Sequence, residues 1–247
     1  MLTEEIQYWD KGLRLRGFLA HETAAPGRRP GVLIVHEGLG LNAHIMEQTQ
    51  RLAGLGYVAL AADMFGERRQ ARDLKEARAL IGELRADPAK LRARGRAGLA
   101  ALAALPQVDA DRLGAIGFCF GGSVVLELAR DGAPLRAAVS IHGVLATTAP
   151  VAVGRVRASV LVLTGADDPL APADQVTAFA EEMRAAKVAD WQLISYGNAL
   201  HGFTNPAADG SILPSARYDA RASARAWTAM QALLAEALDA AGNTKGS

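Results

Sequence analysis

The chain has a single cysteine, Cys119, among 247 residues, so no internal disulfide is available to it. Net charge is almost absent as well: the formal balance is +1, which gives no electrostatic case for nucleic acid or an anionic membrane as partner. The arginines between residues 85 and 96 lie at helical spacing among alanines and leucines and read as a solvated helix face. Long apolar runs are missing too. The longest uncharged stretch, Ala137 to Gly154, is interrupted by Ser, His, Gly, Thr and Pro, which argues against a membrane span. Histidine and carboxylate spacing offers no metal site, no G-x-G-x-x-G or P-loop occurs, and no cofactor is expected. Met1-Leu2-Thr3-Glu4-Glu5 does not read as a signal peptide, so the expected location is cytoplasmic.

What is present is a chain half hydrophobic by composition, long enough to bury a substantial core. Without repeats or a linker, residues 1–240 read as one domain and 241–247 as a flexible C-terminal tail. Segments around Ile6–Trp9 and Leu13–Ala20 suggest an antiparallel edge. Strands and helices then alternate: strands end at Val35, Ala62, Phe118, Ile141, Thr164 and Tyr196, and helices fall near 44–55, 72–105 (interrupted at Asp87-Pro88, part of it a candidate lid), 123–130, 172–187 and 216–240. This predicts an α/β protein with a doubly wound, mostly parallel sheet and helices on both faces.

The cysteine stands at the centre of Gly117-Phe118-Cys119-Phe120-Gly121-Gly122. Leu113–Phe118 reads as a buried strand and Ser123–Arg130 as a helix, so Cys119 occupies a sharp strand-to-helix turn. Side chains two positions to either side would collide with neighbouring strand and helix, which is why glycine is needed at 117 and 121. The sulfur then sits beside a helix N-terminus, whose free N–H groups favour a thiolate. A lone cysteine after a strand is by default a small core hydrophobe, so the reading depends on a base and an acid following it.

Both follow. Val160–Thr164 is a buried strand running into Gly165-Ala166-Asp167-Asp168-Pro169, and Trp191–Tyr196 is another, ahead of His201-Gly202-Phe203. The G-x-x-D spacing favours Asp168 over Asp167 as the acid. The order nucleophile, acid, histidine is that of the α/β-hydrolases and differs from the chymotrypsin and subtilisin orders. The α/β-hydrolase fold is therefore the expected fold class.

Cys119 in G-F-C-F-G-G, His36-Glu37-Gly38 after the strand Val32–Val35, and His201-Gly202-Phe203 together resemble dienelactone hydrolase, a cysteine-nucleophile branch of these enzymes, from about residue 5 to residue 235. The resemblance implies a hydrolase of small esters or lactones with catalytic Cys119, Asp168, His201 and Glu37, the last taking up or holding the thiol proton. Desolvation of a carboxylate beside a thiol agrees with that role. It further implies an oxyanion hole of the backbone N–H groups of Phe120 and Gly38. His142, at the end of another strand on the same edge, is a candidate substrate-lining residue or a structural histidine.

One position departs from the family. Where dienelactone-hydrolysing members carry a substrate-gripping arginine four residues after the histidine, this chain has Asn205, itself a candidate substrate-lining residue; Arg68, Arg69 and Arg72 are candidates for a second arginine. Neutral substrates are therefore expected to be preferred. The alternatives are a carboxylesterase or thioesterase using the same residues, or a redox-sensing or ligand-binding protein using Cys119 only as an oxidisable thiol. The expected partner is a small ester or lactone, with the protein a monomer or homodimer.

Overall fold

The computed structural model describes residues 1–23 and 27–238; the tail at 241–247 lies outside the described residues. Eight strands form one sheet in the order β1-β2-β4-β3-β5-β6-β7-β8. β1 (Leu2–Asp10) and β2 (Leu13–His21) pair antiparallel, and β2 pairs antiparallel with β4 (Val58–Ala62). From there β3 (Arg29–Val35), β5 (Val108–Phe118), β6 (Ala137–Ile141), β7 (Ser159–Gly165) and β8 (Trp191–Tyr196) run parallel. The central strands are short apolar runs because helices cover both their faces; every residue of β4 and β6 is buried.

Two cores flank the sheet. On one face α1 (Ala43–Ala53) and α6 (Ala220–Leu238) bring Ile45, Leu52, Met230 and Leu234 onto Ile34, Ile116 and Leu163. On the other, α2 (Leu74–Arg85), α3 (Pro88–Ala103), α4 (Phe120–Arg130) and α5 (Ala173–Ala185) bring Leu84, Leu99, Val124 and Phe179 onto Leu33, Ala115 and Val160. The break between α2 and α3 has a local cause. The Asp87 side chain accepts from the Lys90 N–H at 3.0 Å and Pro88 opens the new helix, where a missing N–H costs nothing. α3 packs on α4 as an ordinary crossover helix, while α2 reaches the sheet's carboxyl edge, with Ile81 against Gly38.

Several boundaries differ from the sequence expectation, and for two of them the cause is local. β5 begins at Val108, five residues before the apolar run, because Arg29 and Pro30 of β3 pair with Val108 and Asp109 across a register shift and the Val108 side chain is buried in the core. α4 begins at Phe120 and takes Gly121 and Gly122 into its first turn. No helix among the described residues is long and apolar enough to cross a membrane.

Candidate active site

Cys119 joins β5 to α4 with φ 52° and ψ −113°, a left-handed conformation that costs a non-glycine residue on the order of 1–3 kcal/mol. The turn is over-determined by its surroundings. A Cβ at Gly117 would strike the Gly121 carbonyl, and one at Gly121 would strike the Val35 carbonyl of β3. The Cys119 N–H donates to the Ile141 carbonyl at 3.0 Å and to His142 Nδ1 at 3.1 Å. Its side chain is partly exposed, as a reacting sulfur requires.

Asp168 and His201 come from the loops after β7 and β8. His201 Nδ1 lies 2.8 Å from Asp168 Oδ2, and both residues are buried. Asp168 Oδ1 accepts from the Leu170 N–H at 2.8 Å, so both carboxylate oxygens are engaged. Asp167, by contrast, is exposed. The His201 backbone is clamped to the following loop by Ser215 and Arg217. Its other nitrogen, Nε2, is buried with no nitrogen or oxygen partner among the described residues, and Cys119 is its neighbour. Burial works against charging this ring, but the electrostatic influence of the neighbouring Cys119 sulfur and the hydrogen bond to Asp168 outweigh it and push the pKa up to about 10.

His142 is fully buried rather than open to the pocket. With Nδ1 accepting from the Cys119 N–H, the ring proton is on Nε2, which donates to Thr204 Oγ1 at 2.8 Å. Burial, then the charge on His201, holds its pKa well below the ordinary value. A neutral ring thus ties the cysteine turn to the loop carrying His201, and packs edge-on against His201 with centroids 5.3 Å apart.

Glu37 follows β3. Its Oε2 accepts from Asn205 Nδ2 at 2.8 Å. Burial raises its proton affinity, opposed by His44, by Asn205 and by His201. In this arrangement the carboxylate faces Asn205 and the two histidines. The backbone N–H of Phe120, the first residue of α4, has no partner in its own helix, and the Gly38 N–H has no acceptor among the described residues.

Of the candidate arginines, Arg68 lies on Met46 Sδ, and Arg69 and Arg72 both pair with Glu76. Two residues that sequence reasoning missed stand closer. Arg85 donates from Nη2 to Ser123 Oγ at 3.1 Å and is within electrostatic reach of Cys119. His44 neighbours Glu37 and has a buried Nε2 without a partner among the described residues. The available signal for His44 was its place in the first turn of the helix after the His36-Glu37-Gly38 loop, which faces the carboxyl edge. A separate depression of about 650 Å³, lined by Tyr196, Asn198, Tyr218, Arg221 and Arg225, includes none of these groups. No cluster suited to a metal ion occurs among the described residues.

A mostly parallel sheet in this strand order, with its reactive groups on loops at the carboxyl edge, defines an α/β-hydrolase. Residues 15–238 match the model of the dienelactone hydrolase family, and the chain belongs to that family. It is 45% identical to the solved structure of m3DLH, covering 96% of this chain and 99% of that one with a TM-score of 0.91. A dienelactone hydrolase-like promiscuous phosphotriesterase from metagenomic libraries is 43% identical, over 96% and 99% of the two chains, with a TM-score of 0.89. A Synechocystis sp. protein provisionally named carboxymethylenebutenolidase is 28% identical over 91% of this chain and 92% of its own. The protein is accordingly a hydrolase acting on ester or lactone bonds.

Proposed function

We propose that the protein hydrolyses small neutral esters or lactones through Cys119, His201 and Asp168. The observation that carries the reading is the His201 Nδ1–Asp168 Oδ2 contact of 2.8 Å beside a cysteine held at a strained turn. Sγ attacks the acyl carbon, and the developing oxyanion takes the N–H groups of Gly38 and Phe120, each typically worth about 3–4 kcal/mol in the transition state. The His201 imidazolium gives its proton to the leaving oxygen as the C–O bond breaks, leaving a thioester on Cys119. His201 then removes a proton from water, whose oxygen attacks the thioester. Sγ departs as thiolate, and the proton remains on His201. Asp168 fixes the ring's tautomer and offsets its charge. Glu37 takes the thiol proton before Sγ attacks, once its side chain turns from Asn205 toward Cys119, and returns it to the thiolate after the product acid has left.

Asn205, standing at the family's arginine position, supports neutral over carboxylate-bearing substrates, since an amide pairs with a carboxylate less well than a guanidinium. A second reading, phosphotriester turnover by the same groups, is favoured by the name of the relative at 43% identity; a P–O bond would then replace the acyl bond. The test is a hydrolysis screen over lactones, aryl esters, thioesters and paraoxon, with Cys119→Ala alongside. Turnover of neutral esters or lactones that vanishes in the variant is expected. Full activity in Cys119→Ala would overturn the mechanism.

A further inference from the structure

His36 is a group the mechanism does not use. It follows β3, is fully buried, and both ring nitrogens are engaged. Nε2 accepts from the Met64 N–H at 3.2 Å and Nδ1 lies 2.6 Å from the Glu37 carbonyl oxygen. A nitrogen that accepts carries no proton, and a carbonyl oxygen can only accept, so both bonds demand the proton on Nδ1. Burial, lowering the ring's proton affinity, keeps it neutral.

The consequence lies one peptide further on. In a trans peptide the C=O and the following N–H point in opposite directions. The Glu37 carbonyl is held by His36 Nδ1–H and, at 3.2 Å, by the Gly40 N–H. The N–H of Gly38 in the same peptide plane is therefore turned away from His36, and no described residue accepts from it. The second N–H donor belongs to Phe120, whose ring lies 6.1 Å from the His36 ring. The first turn of α4 meets the end of β3 so closely that a Cβ on Gly121 would strike Val35 and His36 carbonyls. Phe65, 4.7 Å from His36 between centroids, closes the other side and stacks on Phe120.

We propose that His36 is a positioning residue for the oxyanion hole: by gripping the Glu37 carbonyl it aims the Gly38 N–H at the oxygen on which charge develops. The inference builds on Cys119 being the nucleophile, and its test separates the two. In His36→Leu, kcat for an aryl ester should fall about 10- to 100-fold, less than the loss of a whole oxyanion donor, with KM within about threefold of wild type. Alkylation of Cys119 by iodoacetamide develops no oxyanion, and Cys119 is the sole cysteine, so its rate should stay within about twofold of wild type. His36→Gln, which can donate to Glu37 and accept from Met64, should recover most of kcat. A Leu variant with unchanged kcat overturns the proposal, as does alkylation falling in step with kcat. Should the Leu variant not fold, nitrogen-15 NMR of wild-type His36 decides: a proton on Nε2 instead of Nδ1 overturns it. Turnover surviving in Cys119→Ala sinks the nucleophile reading itself. An inactive Cys119→Ala beside an unimpaired His36→Leu sinks only the role of His36.

Discussion

Two carboxylates stand at the carboxyl edge of one sheet, Asp168 after β7 and Glu37 after β3, and their surroundings differ. Asp168 has a donor on each oxygen, the Leu170 N–H and the His201 ring, both at 2.8 Å. Glu37 has a neutral amide on one oxygen, and burial raises its proton affinity. The donors around a carboxylate decide whether it serves as a fixed anion or as a proton acceptor. Asp168 suits the first task and Glu37 the second.

The sharpest way to break this contrast is Asp168→Asn. An amide there leaves His201 in the wrong tautomer, and kcat/KM for an aryl ester should drop about 10³- to 10⁴-fold. His201→Ala should be as severe, and the double variant little worse than the worse single one, since the groups act as a unit. A loss under tenfold for Asp168→Asn would mean the fixed anion is elsewhere.

Glu37→Gln should cost less, about 10²-fold in kcat/KM, and should stabilise the fold. A carboxyl group whose folded pKa is raised above 4.5 binds more protons folded than unfolded, so wild-type stability falls as pH rises from 4.5 through the folded value. Denaturant unfolding should therefore find little difference between variant and wild type near pH 4.5 and a growing advantage for the variant toward pH 8. A wild type that gains on the variant over that range would contradict the proton-acceptor role.

His201 provides the opposite sign. Its folded pKa of about 10 lies above the ordinary 6.5, so its contribution to stability is complete below about pH 6.5 and is lost as pH rises toward 10. Melting temperatures between pH 6.5 and 9.5 should decline in wild type, and decline less in Cys119→Ala, where the neighbouring sulfur that raises the pKa is gone. Equal slopes would mean that Cys119 does not set the proton affinity of the ring.

Asn205→Arg should have a smaller effect. The new guanidinium would meet Glu37, the present partner of Asn205, so part of its charge is neutralised before substrate arrives. The preference for an anionic over a neutral ester should rise only about two- to fivefold in kcat/KM. Asp167→Ala, at an exposed position, should stay within about twofold of wild type.

The succession of strands along the chain and the positions of Cys119, Asp168 and His201 at their ends were legible in the sequence for a shared reason. Each residue lies at or shortly beyond the end of an apolar run, and glycine marks the close approaches at 117, 121 and 165. Glu37 was legible only through the His36-Glu37-Gly38 motif. The partners of Glu37 and the contact of Arg85 with Ser123 were not legible, nor was the clamp of His142 on Thr204. Those residues are ordinary in local pattern.

By itself the sequence determined a mostly parallel sheet, because short apolar runs alternate with helical periodicity and only burial on both faces satisfies such runs. It also determined a sharp turn at Cys119 that cannot form without glycine at 117 and 121. Tertiary structure alone decided how protons are held. His142 reaches Thr204 across 62 residues and Asn205 reaches Glu37 across 168. Hydrogen bonds depend on distances of about 3 Å and on direction, and over such separations both are set by how strands and loops pack, which no local spacing encodes.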